Sequence, residues 1–194
     1  MPSTRRSLLR AFLTLPLIDV ARMKAYAQAA PELSLTPSCD DGDDLTLERE
    51  AGPFFRPNSP LERDLYPDAP GGERITVAGF VFDNRCRRLA GSLVEIWHAD
   101  ENGEYDSVGF RLRGHQFTDT QGRWWFNTIV PAPYPGRTRH FHFKVQRRGG
   151  RVLATQLYFP GEAGNAGDWL FHETLLLDMK QTGDGRFARF DFVV

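Results

Sequence analysis

Residues 134–144 bring Tyr134, Arg137, Arg139, His140, His142 and Lys144 together within eleven positions. On a β-strand successive side chains point to opposite faces, so His140 and His142 share one face while Phe141, Phe143 and Val145 point to the other. Two imidazoles on one face can share one ion, and the phenyl face can pack into a core. A His-x-His pair alone is as compatible with a structural role as with a metal site. A second segment adds to it: Gly91 to Asn102 reads as a strand followed by a turn, and the turn ends on Tyr105. Two tyrosines and two histidines suggest ferric iron. A phenolate, with an ordinary pKa near ~10, is a hard anionic donor that suits a hard, highly charged cation. Zinc would more usually take cysteine, histidine or carboxylate.

At these residues the chain resembles the intradiol ring-cleavage dioxygenases, most closely the protocatechuate 3,4-dioxygenase type of catalytic domain. The resemblance runs from Ala51-Gly52-Pro53-Phe54-Phe55, through Ile96 to Tyr105 and Pro133 to Val145, to Thr155-Gln156-Leu157-Tyr158-Phe159 and the closing Phe190-Asp191-Phe192-Val193-Val194. The resemblance implies that Tyr105, Tyr134, His140 and His142 are the four protein ligands of a non-haem Fe(III), with Tyr134 and His142 axial and Tyr105 and His140 equatorial. It implies that the axial tyrosinate leaves when a catechol chelates the iron as a dianion. Arg137 matches the family's arginine that stabilises negative charge developing on the ring, and Gln156 a glutamine beside the site. A guanidinium suits that task because it stays protonated at any relevant pH. The implied reaction inserts both atoms of O2 between the hydroxyl-bearing carbons and gives a cis,cis-muconate-type diacid. No external reductant or organic cofactor is expected, in keeping with a sequence that has no Gly-rich dinucleotide fingerprint and no C-x-x-C spacing.

One departure bears on the substrate. Where the protocatechuate enzymes carry a tryptophan two residues after the axial tyrosine, this chain has Gly136, which implies an opened or reshaped wall. The catechol and chlorocatechol enzymes add a helical N-terminal domain that the segment before residue 50 is too short to supply. The protocatechuate type pairs related chains, which leaves a homo- or hetero-oligomer open here.

The elements that must position these groups are short and alternating: Ile75 to Phe82, Leu93 to Trp97, Trp124 to Val130, the histidine strand, Val152 to Phe159 and Phe187 to Val194. Turn signals such as Asp119-Thr120-Gln121-Gly122 and Arg148-Gly149-Gly150 separate them, so the predicted fold is an all-β antiparallel sandwich with long irregular loops and little helix. Residues 160–180 read as a Gly-rich loop with a helical turn or two around Trp169 to Leu177. Residues 52–72, with prolines at 53, 57, 60 and 67, read as an ordered arm that could line the site mouth. With 194 residues, 41% of them hydrophobic, the chain can bury one full core.

The chain divides into a leader over 1–29, a linker or arm over 30–50, and the sandwich over 51–194. Thr4-Arg5-Arg6-Ser7-Leu8-Leu9-Arg10 is close to a twin-arginine export pattern, followed by a short apolar stretch and an A-x-A type cleavage region at Ala25-Tyr26-Ala27. That stretch is too short to span a bilayer as a stable helix. Removing residues 1–29 takes away five basic residues and one acidic one, moving the formal charge from −1 to −5, which leaves no basic stripe for nucleic acid. An exported protein would place Cys39 and Cys86 in an oxidising compartment, where a disulfide could pin the arm to the sandwich; in the cytosol both would be free thiols.

Other residues carry plainer readings. His98 is a neighbour of the site or a strand-end polar residue, His115 and His172 lie in polar, loop-like surroundings and read as surface residues, Tyr158 packs within a strand, Tyr66 could line the mouth, and Arg139 is a strand-edge charge. A cupin also uses His-x-His on a strand but needs a glutamate a few residues on, and residues 143–147 contain none. The remaining alternative is an inactive or non-enzymic exported β-sandwich binding module. It would explain the aromatics, but not the tyrosines, Arg137 and histidines together.

Overall fold

Alternation along the chain builds two facing sheets. The computed structural model describes residues 45–182 and 185–194; the leader, most of the 30–50 linker and Cys39 lie outside them. The first sheet has the order β4 (Arg123–Ile129), β1 (Arg74–Phe82), β8 (Gly185–Arg189) and β7 (Asp178–Thr182), with β9 (Phe192–Val193) also pairing β1. The second has the order β3 (Arg113–Phe117), β2 (Leu93–Trp97), β5 (His140–Gln146) and β6 (Leu153–Tyr158). The sheets pack through aromatic side chains: Phe143 of β5 lies 5.3 Å from Trp124 of β4 and 5.3 Å from Phe192 of β9 between ring centroids. Such pairs add directional packing to the burial of large apolar surfaces.

Several features refine or differ from the sequence reading. The sandwich is not wholly antiparallel, because β8 and β9 both run parallel to β1. The final run is broken at Phe190 and Asp191, so Phe187 to Val194 forms two strands rather than one. The 160–180 segment holds two 3₁₀ turns, Ala163–Gly167 and Glu173–Leu175, and then enters β7. Strand β3 was not expected. Its sequence, Arg-Gly-His-Gln-Phe, has the polarity of a loop, yet Pro60 to Glu62 lie alongside it and pair with His115. His115 is accordingly half-buried, with its Nδ1 2.8 Å from the Ser59 carbonyl, rather than a surface residue.

The arm occupies both edges of the second sheet. Arg49 N donates to Ala154 O on β6 at 2.8 Å, and His115 N on β3 donates to Pro60 O at 2.9 Å. Edge strands left open would offer unpaired backbone groups to other chains. Between those two anchorages residues 50–59 cross the face that carries His140 and His142. The arm thereby roofs the site, as its proline-rich sequence suggested.

Candidate metal centre

Strand parity brings the site together. His140 pairs across to Tyr158 and His142 to Gln156 on β6, while His142 pairs to Trp97 on β2, so all five lie on one face of the second sheet. Phe141, Phe143 and Val145 take the opposite face and are fully buried in the core.

Each tyrosine is delivered by a turn. Asp100 accepts from the backbone N of Asn102 and Glu104 at 2.8 and 3.0 Å and pairs with Arg111 at 2.5 Å. Asp106 accepts from Val108, Gly109 and Arg111 N, and these donors push its carboxyl down to about 2. Tyr105 is thus held between two carboxylate-centred turns. A Cβ on Gly103 would lie 2.6 Å from Pro133 O, and its φ of +82° favours glycine, so this residue lets the Tyr105 loop press against the Tyr134 loop. Tyr134 is held by a tight turn in which Arg137 N donates to Tyr134 O at 2.9 Å, with Gly136 at φ +81°.

The four rings converge. Ring centroids are 4.7 Å apart for His140 and His142, 5.6 Å for Tyr134 and His140, 5.7 Å for Tyr105 and Tyr134, and 6.0 Å for Tyr105 and His142. Phe54 from the arm stacks on Tyr105 at 4.2 Å, and Trp97 stacks on His142 at 5.0 Å. Arg113, buried on β3, donates to Phe54 O at 2.6 Å and Asp106 O at 2.8 Å, clamping the arm and the Tyr105 turn together.

The protonation pattern favours a bound cation. His140 Nδ1 lies 2.7 Å from Thr138 O, which can only accept, so this nitrogen carries the proton and Nε2 presents its lone pair. That Nε2 faces His142 Nε2 at 3.1 Å. Burial drives His140 down to about 4 and His142 well below the ordinary range, so both rings are neutral donors. The Tyr105 hydroxyl is buried without a hydrogen bond, and burial raises its pKa, with the nearby Tyr134 phenol adding to the effect. Burial raises Tyr134 as well. Two phenols that resist ionisation in the bare protein, set against two neutral imidazoles, fit a hard, highly charged cation that would compensate for deprotonating them.

Beside this cluster stands Arg137. Its Nη1 lies 3.4 Å from the Tyr134 hydroxyl, its Nη2 donates to Gln156 Oε1 and lies 3.3 Å from the Tyr158 hydroxyl, and its Nε meets both oxygens of Asp168. Burial alone would lower its pKa, but Tyr134 and Asp168 hold it above its ordinary value. Gln156 is fixed at both ends, its Nε2 donating to Glu50 O at 2.9 Å.

Residues 50–193 match the family model described as Dioxygenase. The chain belongs to the intradiol ring-cleavage dioxygenase family. It is 36% identical over 138 residues to the protocatechuate 3,4-dioxygenase beta chain of Burkholderia cepacia, covering 59% of this chain and 59% of that relative. Against the chlorocatechol 1,2-dioxygenase of Pseudomonas sp. (strain P51) it is 26% identical over 176 residues, covering 74% and 68%. The chain thus spans about six to seven tenths of the length of these curated relatives. Among solved structures it is similar to the dioxygenase domain of a dioxygenase carbohydrate-binding protein fusion from Streptomyces sp. SirexAA-E, at 48% identity and a TM-score of 0.76, covering 78% of this chain and 98% of that one.

The structure brings Tyr105, Tyr134, Arg137, His140, His142 and Gln156 together and adds other residues to them. Tyr158 is not simply packing: its hydroxyl donates to Gln156 Oε1 at 2.8 Å. Parity with Gln156 two residues earlier was the available signal. Asp168 had none, lying 31 positions from its partner in a Gly-rich loop. Tyr66 does not line the site; its hydroxyl donates to Pro70 O and Arg74 covers its ring at 3.8 Å. His98 faces the core, with Nδ1 on Ala99 O and Nε2 on the Thr128 hydroxyl, both at 2.7 Å, and takes no place among the converging donors. His172 is exposed and caps Thr174 N, and Arg139 pairs with Glu162 at 3.1 Å.

Proposed function

We propose that this chain is an intradiol dioxygenase that opens a catechol-type ring between its two hydroxylated carbons with both atoms of O2, yielding a cis,cis-muconate-type diacid, and that Tyr105, Tyr134, His140 and His142 hold a non-haem Fe(III). The observation that carries this reading is the convergence of two phenols and two neutral imidazoles on one sheet face, with the Arg137 guanidinium alongside. When bound, the ferric ion supplies Lewis acidity and a template for chelating the substrate.

The protein's own groups supply the rest. Tyr134 is less enclosed than Tyr105 and has exposed neighbours on its turn, so it is the tyrosine free to move aside, and in its ionised, phenolate form its oxygen would accept a proton from an incoming catechol hydroxyl. Arg137 presents Nη1 and Nη2 toward the same region, where a fixed positive charge stabilises negative charge building on the ring. Gln156, anchored by Glu50 O and Arg137, holds that guanidinium edge in place. Phe54 and Trp97 shield Tyr105 and His142 from water.

The substrate is a catechol-type small molecule, and no wall stands at Gly136, where a Cβ would meet nothing within 4 Å, so ring substituents have room on that side. The reading also includes export through the twin-arginine-type leader to the periplasm or beyond. Cys86 is disulfide-bonded, and such a bond persists in the oxidising compartment that export would reach. Among the described residues no helix is long and apolar enough to cross a membrane.

Anaerobic titration of the iron-loaded protein with a panel of catechols tests the reading. A red-brown tyrosinate-to-iron band that shifts as catechol binds is the expected result. A colourless protein, or a band indifferent to every catechol, would instead favour a binding module.

A further inference from the structure

Resting on the dioxygenase reading of the site, we propose that Asp168 is a positioning residue for the reaction: it holds Arg137 by its Nε so that the opposite, Nη edge of the guanidinium is the one offered to the substrate. Arg137 has three nitrogens and a long stem, and a free arginine next to an anionic substrate can present any of them. Here the choice is removed. Both carboxylate oxygens of Asp168 straddle the Nε–H, at 3.1 and 3.0 Å. The usual side-on pairing of arginine with a carboxylate would consume one Nη as well. This one leaves Nη1 to the Tyr134 hydroxyl and Nη2 to Gln156 and Tyr158.

Asp168 is itself immobilised. Its Oδ2 accepts from Thr138 N at 3.0 Å and its Oδ1 from Leu170 N at 3.0 Å. The surrounding turn is closed on either side, by Asp168 N to Asn165 O at 3.2 Å and Phe171 N to Asp168 O at 3.0 Å. The carboxylate cannot swing without breaking two backbone hydrogen bonds, so a side chain from one loop fixes the angle of a guanidinium on another. The pair is secluded, with the Asp168 side chain fully buried and that of Arg137 13% exposed. Desolvating two charges costs about as much as their attraction returns, so such a pair is weak evidence for a stabilising role. Geometry is what it supplies, and small misplacements of a reacting group are costly to turnover.

The test uses the iron-loaded protein and its Asp168→Asn, Asp168→Glu, Arg137→Leu and Arg137→Leu/Asp168→Asn variants, with catechol as the probe. Asp168→Asn should keep its iron and its resting charge-transfer band and bind catechol anaerobically as wild type does, while kcat falls by about 10- to 100-fold. Asp168→Glu, which keeps the charge, should recover part of that loss. In the Arg137→Leu background the Asn substitution should cost nothing further in kcat, because the group it positions is gone. Undiminished kcat in Asp168→Asn would overturn the proposal, and so would a loss that is additive with Arg137→Leu or that follows iron content and melting temperature. A wild-type protein that takes up iron yet opens no catechol would overturn the dioxygenase reading, and this proposal with it.

Discussion

His140 and His142 point their Nε2 atoms at one another across 3.1 Å, in a site where burial keeps both rings neutral. The Thr138 carbonyl fixes the tautomer of His140 and turns its lone pair inward. Two such nitrogens beside the buried Tyr105 hydroxyl form a donor set that fits a cation. Replacing His142 by Ala removes one neutral donor from four, so iron content should fall steeply. Elemental analysis of the purified variant checks this, and full iron occupancy would remove His142 from the ligand set.

Arg137→Leu should separate binding of the metal from chemistry. Asp168 keeps its two backbone donors in this variant, and the four donors are untouched. Iron and colour should therefore remain while kcat falls by about 100-fold or more. Loss of iron together with normal turnover in the residual loaded protein would show that Arg137 supports the metal rather than the substrate.

The iron-free protein should be sensitive to acid through its buried histidines. Burial pushes His98 down to about 4, against an ordinary value near ~6.5 in the unfolded chain. The unfolded state then binds the proton more readily. The stabilising contribution is present above about pH 6.5 and is lost as pH falls toward 4. Chemical denaturation of the iron-free protein across that range should show declining stability. A His98→Asn variant should have a slope shallower by up to about 1.4 kcal/mol per pH unit. An unchanged slope would mean that His98 does not titrate with unfolding.

Gly136 bears on selectivity. A tryptophan there has open space for its Cβ but must adopt a φ of +81°, so Gly136→Trp carries a backbone cost that Gly136→Ala shares without the bulk. Relative to the Ala variant, the Trp variant should disfavour bulky catechols over catechol itself by about 1–3 kcal/mol in kcat/KM. An unchanged ratio would place the substrate against another wall, such as the one formed by Phe54.

The sandwich and the shared face of His140 and His142 were legible because both follow strand parity, whereas Tyr105 and Tyr134 lie on turns and were marked as ligands only by the family resemblance. The alternation that put Phe141 and Phe143 in the core put His140 and His142 on one face, and the same rule would have assigned Tyr158 beside Gln156. What could not be read was tertiary. Strand β3 owes its pairing to the arm along its edge rather than to its polar sequence, and the parallel placement of β8 and β9 beside β1 has no local signal. Asp168 and Arg113 act through contacts 31 and 59 residues away, which no spacing motif encodes.

The most direct measurement is product analysis after turnover of a catechol by the iron-loaded protein under isotopically heavy O2. The account predicts a ring-opened cis,cis-muconate-type diacid carrying both heavy oxygen atoms, with cleavage between the two hydroxylated carbons. A product cleaved beside the hydroxylated pair, one with a single heavy atom, or unreacted catechol with no O2 consumed would contradict it.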